Sequence, residues 1–297
     1  MANLKEIRTR IESVGSTRQI TNAMKMVSAA KLRKAQDSII QMRPYALKLH
    51  DVLEHCQMCM PNKETPYYSH RELKKVVLVV IGTNRGLCGA FNINVAKRAM
   101  VVAEKDHAGL NKAGMVDIIC IGKKVEDYLR SRDYEVSNSR HDLIDQLSFE
   151  SSIQFIQELI DSFCEGKFDR IEVIYNTFKN AAVQILTHDT FLPLSIPQEF
   201  CTPEEIDIAR HTYIIEPSGD LLMERLMPKV LKTEFYKALL ESAASEYGAR
   251  MTSMHKATDN ADQLIKELRT QYNKARQSAI TNEIIEIVGG AEALKKN

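Results

Sequence analysis

The sequence has no long apolar run, and this absence excludes a helix that spans a membrane. No stretch of its 297 residues approaches the roughly eighteen consecutive apolar residues that such a helix needs. The opening, Met1 to Glu6, has neither the apolar core of a signal peptide nor an Arg/Ser-rich presequence. We therefore expect the protein to stay in the compartment where it is made.

Signatures of catalysis and of metal binding are also missing. There is no G-x-S-x-G turn and no H-E-x-x-H pair, and the eight histidines are dispersed. The six cysteines are scattered, as is typical of a reduced protein. Cys56 and Cys59 form a C-x-x-C pair that closes a helix ahead of Pro61, but no second pair completes a zinc site. We expect no catalytic residue, no cofactor and no metal, and the role of the pair stays open.

Proline and glycine are nearly absent near the end of the chain, where only Gly248 falls between Pro228 and Gly289. Apolar residues recur there at alternating spacings of four and three, which predicts a helix that winds around another helix. Sixty such residues would extend about 90 Å. The predicted seam consists of Leu240, Ala244, Tyr247, Met251, Met254, Thr258, Ala261, Ile265, Leu268, Tyr272, Ala275 and Ala279.

The partner helix is predicted at the other end of the chain. The same frame runs through Leu4, Ile7, Ile11, Val14, Arg18, Thr21, Lys25, Ser28, Leu32, Ala35, Ile39, Met42, Ala46, Leu49 and Leu53. From Arg18 to Ser28 this seam is polar, while Ile20, Ala23, Met24 and Val27 are apolar on an adjacent face. Either the helix rotates there or it faces a second surface. The pattern predicts an antiparallel pair of helices, and an ordinary helical bundle is the alternative.

The middle of the chain alternates between strand and helix patterns. Buried strands are predicted at 76–81 and 116–121, further strands at 170–175 and 183–186, and helices from Asn92, over 123–132 and over 147–164. This order predicts a small parallel, Rossmann-like sheet. The predicted fold class is α/β, with a long antiparallel coiled coil of N- and C-terminal helices and an inserted Rossmann-like domain. The predicted limits are 1–60 and 208–290 for the helices and 74–200 for the domain.

A glycine-rich turn follows the first strand, where such folds bind dinucleotides. Its spacing, through Gly82, Gly86 and Gly89, is G-x-x-x-G-x-x-G. This is neither the dinucleotide fingerprint nor the P-loop pattern. We interpret the turn as structural.

Charge is segregated although the net charge is only +1. Residues 1–36 are strongly basic and residues 133–172 are acidic. A basic helix suits phosphates or an acidic protein surface, and a merely solvated face is the alternative. Aromatic residues do not interleave with the basic ones, which argues against single-stranded nucleic acid.

Three sequence blocks resemble the γ subunit of F-type ATP synthases. They are the stretch from Lys5 to Lys34, the motif Arg85–Asn92, and the stretch from Ala244 to Val288. The first contains Ala23-Met24-Lys25-Met26-Val27, the second reads RGLCGAFN, and the third contains Ala257-Thr258-Asp259-Asn260-Ala261 and Asn273-Lys274-Ala275-Arg276-Gln277. Departures are small: Thr83-Asn84 stands where Ser-Asp is usual, and Ser253 and Ser278 replace alanines.

The resemblance implies a central rotor shaft that catalyses no reaction itself. Its partners would be the ring of α and β subunits, the ε subunit and the membrane-embedded c-ring, with no nucleic acid and no small-molecule substrate. The resemblance places Met24 and Lys25 against a loop of β, and it places Arg276, Gln277, Thr281 and Glu283 against loops of the α and β ring. Tyr213 and Glu216 would face the c-ring.

The plastid members of this family carry an extra cysteine pair in the inserted domain. The corresponding region here, roughly 193–211, contains only Cys201. We therefore expect no thiol switch, and a bacterial setting at the cytoplasmic side of the inner membrane. Two other hypotheses are a nucleotide-binding protein with helical arms, which would bind NAD(P) or ATP, and a coiled-coil protein that binds nucleic acid through its basic helix.

Overall fold

The computed structural model describes residues 4–59, 66–68, 71–145, 147–194, 216 and 218–295. Its two longest helices lie at the two ends of the chain. Helix α1 covers Leu4–Cys59 and the last helix, α7, covers Gly219–Lys295. Within the described ranges, no helix is long and apolar enough to cross a membrane. The Cys56 and Cys59 pair lies at the end of α1, as the sequence predicts.

Pro228 lies inside the last helix, more than one turn after its start at Gly219. A proline in a helix removes a backbone hydrogen bond. Packing around Pro228 offsets this cost, since Met227 and its helical neighbours form a buried cluster with Leu53 and Cys56 of α1. Tertiary packing therefore overrides a local signal that favours a break.

The elements between the terminal helices alternate as the sequence predicts. They are a 3-10 turn at Pro66–Tyr68, β1 Val76–Ile81, α2 Phe91–Val101, a π turn Val102–Asp106, α3 Ala108–Lys112, β2 Val116–Ile121, α4 Lys123–Arg130, β3 Asn138–Ser139, α5 Asp142–Asp145, α6 Phe149–Cys164, β4 Arg170–Phe178 and β5 Gln184–Leu192. The short strand β3 and the π turn carry no periodic signal, so neither is predicted from the sequence.

The strands form one sheet in the order β3-β2-β1-β4-β5. Strand β1 pairs in parallel with β2 and β4, and β2 pairs in parallel with β3. The predicted small parallel sheet is confirmed except at one edge, where β5 pairs antiparallel with β4. The connection between these strands is short, and the Asn180 side chain accepts from the amides of Ala182 and Val183 there. So short a connection permits a hairpin but not a parallel crossover.

The sheet separates two hydrophobic cores. Val76, Leu78 and Val80 face α2 and α4, while Val77, Val79 and Ile81 face α6 and α7. Every residue of β1 is buried, which confirms the interpretation of its continuous apolar run.

The chain divides into two compact units, one formed by residues 1–28 and 251–297 and the other by residues 29–250. In the first unit, Thr258 donates to Thr21 over 2.9 Å, and Arg18 pairs with Asp262 at 2.9 Å. The contact moves towards the C-terminus on one helix as it moves towards the N-terminus on the other, so the helices are antiparallel. The predicted class, α/β with paired terminal helices, is confirmed. The predicted limits 1–60, 74–200 and 208–290 stay predictions.

Candidate functional site: exposed faces of the terminal helices

The N-terminal helix keeps its register through the polar part of its seam. Ser28 is buried and Thr21 and Lys25 are partly buried, whereas Ile20 is 60% and Val27 57% exposed. The sequence leaves open whether α1 rotates at this point or faces a second surface. The structure supports the second option, because the seam positions stay covered while the adjacent apolar face is exposed. We call Ile20, Ala23, Met24 and Val27 the outer face. An apolar face without cover in the chain is typical of a contact surface for another protein.

The part of α7 from Ile280 to Ala291 is exposed on all sides. Thr21 lies opposite Thr258, and the helices are antiparallel. Counting back along α1 from Thr21, its first residue Leu4 lies opposite about Ala275. Beyond Ala279, every residue from Ile280 to Ala291 is exposed. We call residues 280–291 the tip. Its exposed apolar side chains are Ile280, Ile284, Ile285, Ile287 and Val288.

The residues that the resemblance assigns to partner contacts do not converge on one pocket. Met24, a member of the outer face, and its neighbour Lys25 are both partly buried. Arg276, Gln277, Thr281 and Glu283 are exposed at or near the tip, where the Thr281 hydroxyl donates to the Gln277 carbonyl over 2.9 Å. Glu216 is exposed, and Tyr213 lies outside the described residues. The described members are exposed or partly buried on the two terminal helices and at Glu216, and their roles as partner contacts stay predictions.

Helix α7 contacts the glycine turn through hydrogen bonds from Arg250. Arg250 donates to the carbonyl oxygens of Gly86 over 3.2 Å and Arg85 over 2.9 Å. The same guanidinium pairs with the Glu246 carboxylate at 2.5 Å. Inside the turn, the Asn92 side chain accepts from the Thr83 amide at 3.0 Å. Backbone and side-chain groups of the turn thus bond within the protein.

Helix α7 also fills the crevice at the carboxyl ends of β1 and β4, where doubly wound folds bind ligands. The Ser245 hydroxyl donates to the Asn176 carbonyl over 3.1 Å. A Cβ atom on Gly248 would lie 3.1 Å from the Ala181 Cα atom, so only glycine allows this approach without a shift. Periodicity does not reveal the structural role of Ser245, Glu246 and Arg250. The available signal is the lone glycine among polar residues in a long helix.

The electrostatics of this contact follow from burial. Burial raises the pKa of the Glu246 carboxyl, and the positive charge of Arg250 opposes that rise. Burial likewise raises the pKa of the Cys88 thiol beside the turn. A thiol with a raised pKa is a poor nucleophile. Over the described ranges, no group of His, Cys, Asp or Glu is arranged to hold a metal ion.

Comparisons with known proteins agree across nearly the whole chain. The sequence profile of the family described as ATP synthase matches residues 3–294. The ATP synthase gamma chain of Flavobacterium psychrophilum is 51% identical over 296 residues, which cover 99% of this chain and 100% of that protein. The ATP synthase gamma chain of Cytophaga hutchinsonii is 46% identical over 300 residues and covers 99% of each chain.

The fold is similar to chains in cryo-EM structures of the Euglena gracilis mitochondrial ATP synthase. One, from the OSCP/F1/c-ring in rotational state 3, has a TM-score of 0.69 and 22% identity, over 98% of this chain and 94% of that one. Another, from the rotor in rotational state 1, has a TM-score of 0.64 and 21% identity, over 93% of this chain and 98% of that one. The sequence identities and the family match together show that the chain belongs to the ATP synthase gamma chain family.

Proposed function

We propose that this chain is the central rotor shaft of an ATP synthase. The observation that carries the proposal is the antiparallel pair of terminal helices with an uncovered outer face and an uncovered tip. Family membership supplies the partners: the ring of α and β subunits, the ε subunit and the c-ring. Proton flow turns the c-ring, and the shaft turns with it.

The coupling is mechanical in this proposal. A rod that lacks three-fold symmetry presses on one side of a three-fold ring at a time, so each β site passes in turn through different nucleotide affinities. The chain makes and breaks no bond itself. Its contacts with the ring must be individually weak, about 1 to 3 kcal/mol each, because a permanent grip would stop rotation.

Specific contacts are proposed for each uncovered surface. Met24 and Lys25 meet an acidic loop of β, and the exposure of neighbouring Ile20 and Val27 supports this. Arg276, Gln277, Thr281 and Glu283 meet loops of the ring near the tip, which their exposure supports. Tyr213 and Glu216 meet polar loops of the c-ring. The chain would be attached to the cytoplasmic side of a bacterial inner membrane through this complex, not through a span of its own.

The experiment that tests the proposal places a charge on the outer face. Met24→Lys adds a cation beside the proposed β contact, so we expect ATP hydrolysis to continue while proton pumping by the reconstituted complex falls. Asn22→Lys is the matched control, since Asn22 is exposed on α1 outside the outer face. Pumping and hydrolysis that fall equally in both variants, together with loss of assembly, would contradict the proposal.

A further inference from the structure

An open cavity of about 310 Å³ lies between α1, α7 and the strands β4 and β5, within the unit of residues 29–250. It shares no residue with the outer face, the tip or the glycine turn. Its floor is apolar, because Val173 of β4 and Leu231 and Phe235 of α7 line it and are buried. Small-molecule sites typically have volumes of about 300 to 1,000 Å³, apolar walls and a few polar groups that select the ligand. We call this site the α1–α7 cavity.

Two carboxylates, those of Asp189 on β5 and Glu234 on α7, also line the α1–α7 cavity, and both residues are exposed. Asp189 lies opposite Val173 in the sheet, so the two side chains leave the same sheet face. The Tyr175 hydroxyl donates to Asp189 Oδ2 over 3.1 Å. His50 of α1 is a further lining residue, but no lysine or arginine is among the described residues that line the cavity. The mouth is therefore anionic above an apolar floor.

The cations of a neighbouring cavity do not cancel this charge. Arg43 and Lys237 line that neighbour together with Glu241, which is buried. Burial raises the pKa of the Glu241 carboxyl, and the positive charges of Lys237 and Arg43 oppose that rise. Both cations thus act on a third carboxylate. Glu234 lines both cavities, which together carry three carboxylates against one lysine and one arginine among their described lining residues.

Aromatic side chains add to the attraction for positive charge. Tyr68, Tyr175, Phe191 and Phe235 line the α1–α7 cavity. The faces of aromatic rings carry a negative potential that attracts organic cations. Phe191 and Phe235 pack edge to face, with ring centroids 5.5 Å apart. Burial raises the pKa of both tyrosines, that of Tyr68 to about 12, so both phenols stay neutral hydrogen-bond donors.

We propose that the α1–α7 cavity binds a small organic cation with an apolar body, such as an alkylammonium ion. The apolar body lies against Val173, Leu231 and Phe235, and the ammonium group lies at the mouth beside Asp189 and Glu234. A nucleotide does not suit the cavity, because its phosphates would meet carboxylates. A hydrated metal ion would leave the apolar floor without a contact. The cation is bound and not converted, so the site does not depend on the proposed rotor function.

Titration of the full chain with hexyltrimethylammonium tests the site at pH 8.0, where imidazole is ordinarily neutral and carboxyl groups are ionised. We expect a dissociation constant of about 1 mM, which is ordinary for a ligand of about ten non-hydrogen atoms. The methyl NMR signals of Val173 and Leu231 should shift, whereas those of Val95, in the core on the other sheet face, should not. 1-Hexanol should bind about tenfold more weakly, and hexanoate should not bind measurably.

Removal of one carboxylate tests the role of charge. Glu234→Gln keeps the size of the side chain, and we expect it to weaken hexyltrimethylammonium binding about fivefold, since an exposed ion pair contributes little. Asp189→Asn should have a similar effect, and it tests the site independently if the first variant does not fold. Glu224→Gln is the matched control, because Glu224 is also exposed on α7 but does not line the cavity. Its affinity should equal that of the unmodified chain.

Four results would overturn the proposal. They are methyl signals that do not shift at about ten times the expected dissociation constant, equal affinity for hexanol and the cation, unchanged affinity in both Glu234→Gln and Asp189→Asn, and cosedimentation of the full chain with phosphatidylcholine vesicles. The last result would assign the ammonium group to a lipid instead of a free cation. None of these results bears on the rotor proposal, which the Met24→Lys experiment tests separately.

Discussion

Arg250 is a buried charged residue of α7, and its hydrogen bonds explain why the charge is retained there. Its guanidinium satisfies a buried carboxylate and two backbone carbonyls at once. We expect Arg250→Met to lower the free energy of unfolding by about 3 to 5 kcal/mol, because Glu246 is left buried without its partner. Chemical denaturation of the full chain measures this loss.

The matched control is Arg8→Met. Arg8 pairs with Glu12 at 3.5 Å, but both side chains are largely exposed. Such a pair contributes at most about 1 kcal/mol, so the control should unfold almost as the unmodified chain does. A loss in Arg250→Met no larger than in Arg8→Met would show that the contact with the glycine turn does not stabilise the fold.

The sequence predicts the longer elements because the terminal helices follow a heptad repeat and β1 is a continuous apolar run. The seam positions of both terminal helices are buried, as at Ile7, Ala35 and Leu268, or partly buried, with the exception of the exposed Arg18. Periodicity does not give the direction of β5, which follows instead from the short connection after β4. The buried contact between His107 and Glu172 could not be predicted either, because it joins residues that are far apart in sequence. The binding partner of each site residue could not be predicted in this way either, because exposure at the tip shows that a surface is available but not what binds there.

The junction between β2 and α4 provides a test at the scale of an element. Gly122 has a φ of 119°, and a Cβ atom there would lie 2.6 Å from the Thr83 amide nitrogen. We expect Gly122→Ala to destabilise the fold by about 3 kcal/mol or more, because backbone must move and the conformation is strained. Gly289→Ala, at an open helical position, should leave thermal stability unchanged or raise it by up to about 1 kcal/mol. Equal melting temperatures for the two variants would contradict this account of the junction.

At the scale of the whole molecule, stability and coupling depend on different parts of the chain. Among the described residues, the buried apolar side chains lie on the two faces of the sheet, between the terminal helices and beside the glycine turn, and none of them belongs to the tip. Removal of the tip therefore costs the fold little burial, since the hydrophobic contribution follows the area that is removed from water. The proposed contacts at Thr281 and Glu283 would be lost with it, and a cut ahead of Arg276 also removes those at Arg276 and Gln277.

Truncation after Lys274 separates the contribution of this segment to stability from its contribution to coupling. We expect the truncated chain to keep its melting temperature within a few degrees, and the complex that contains it to transmit less torque. Rotation under load in single complexes measures the torque. A matched truncation after Val288 removes Gly289 and the residues that follow while keeping every proposed contact, so its torque should stay close to that of the full chain. Complexes with either truncation transmit equal torque only if the ring does not bind the four proposed contact residues, Arg276, Gln277, Thr281 and Glu283. In that case the coupling must arise elsewhere on the shaft, at surfaces such as the outer face.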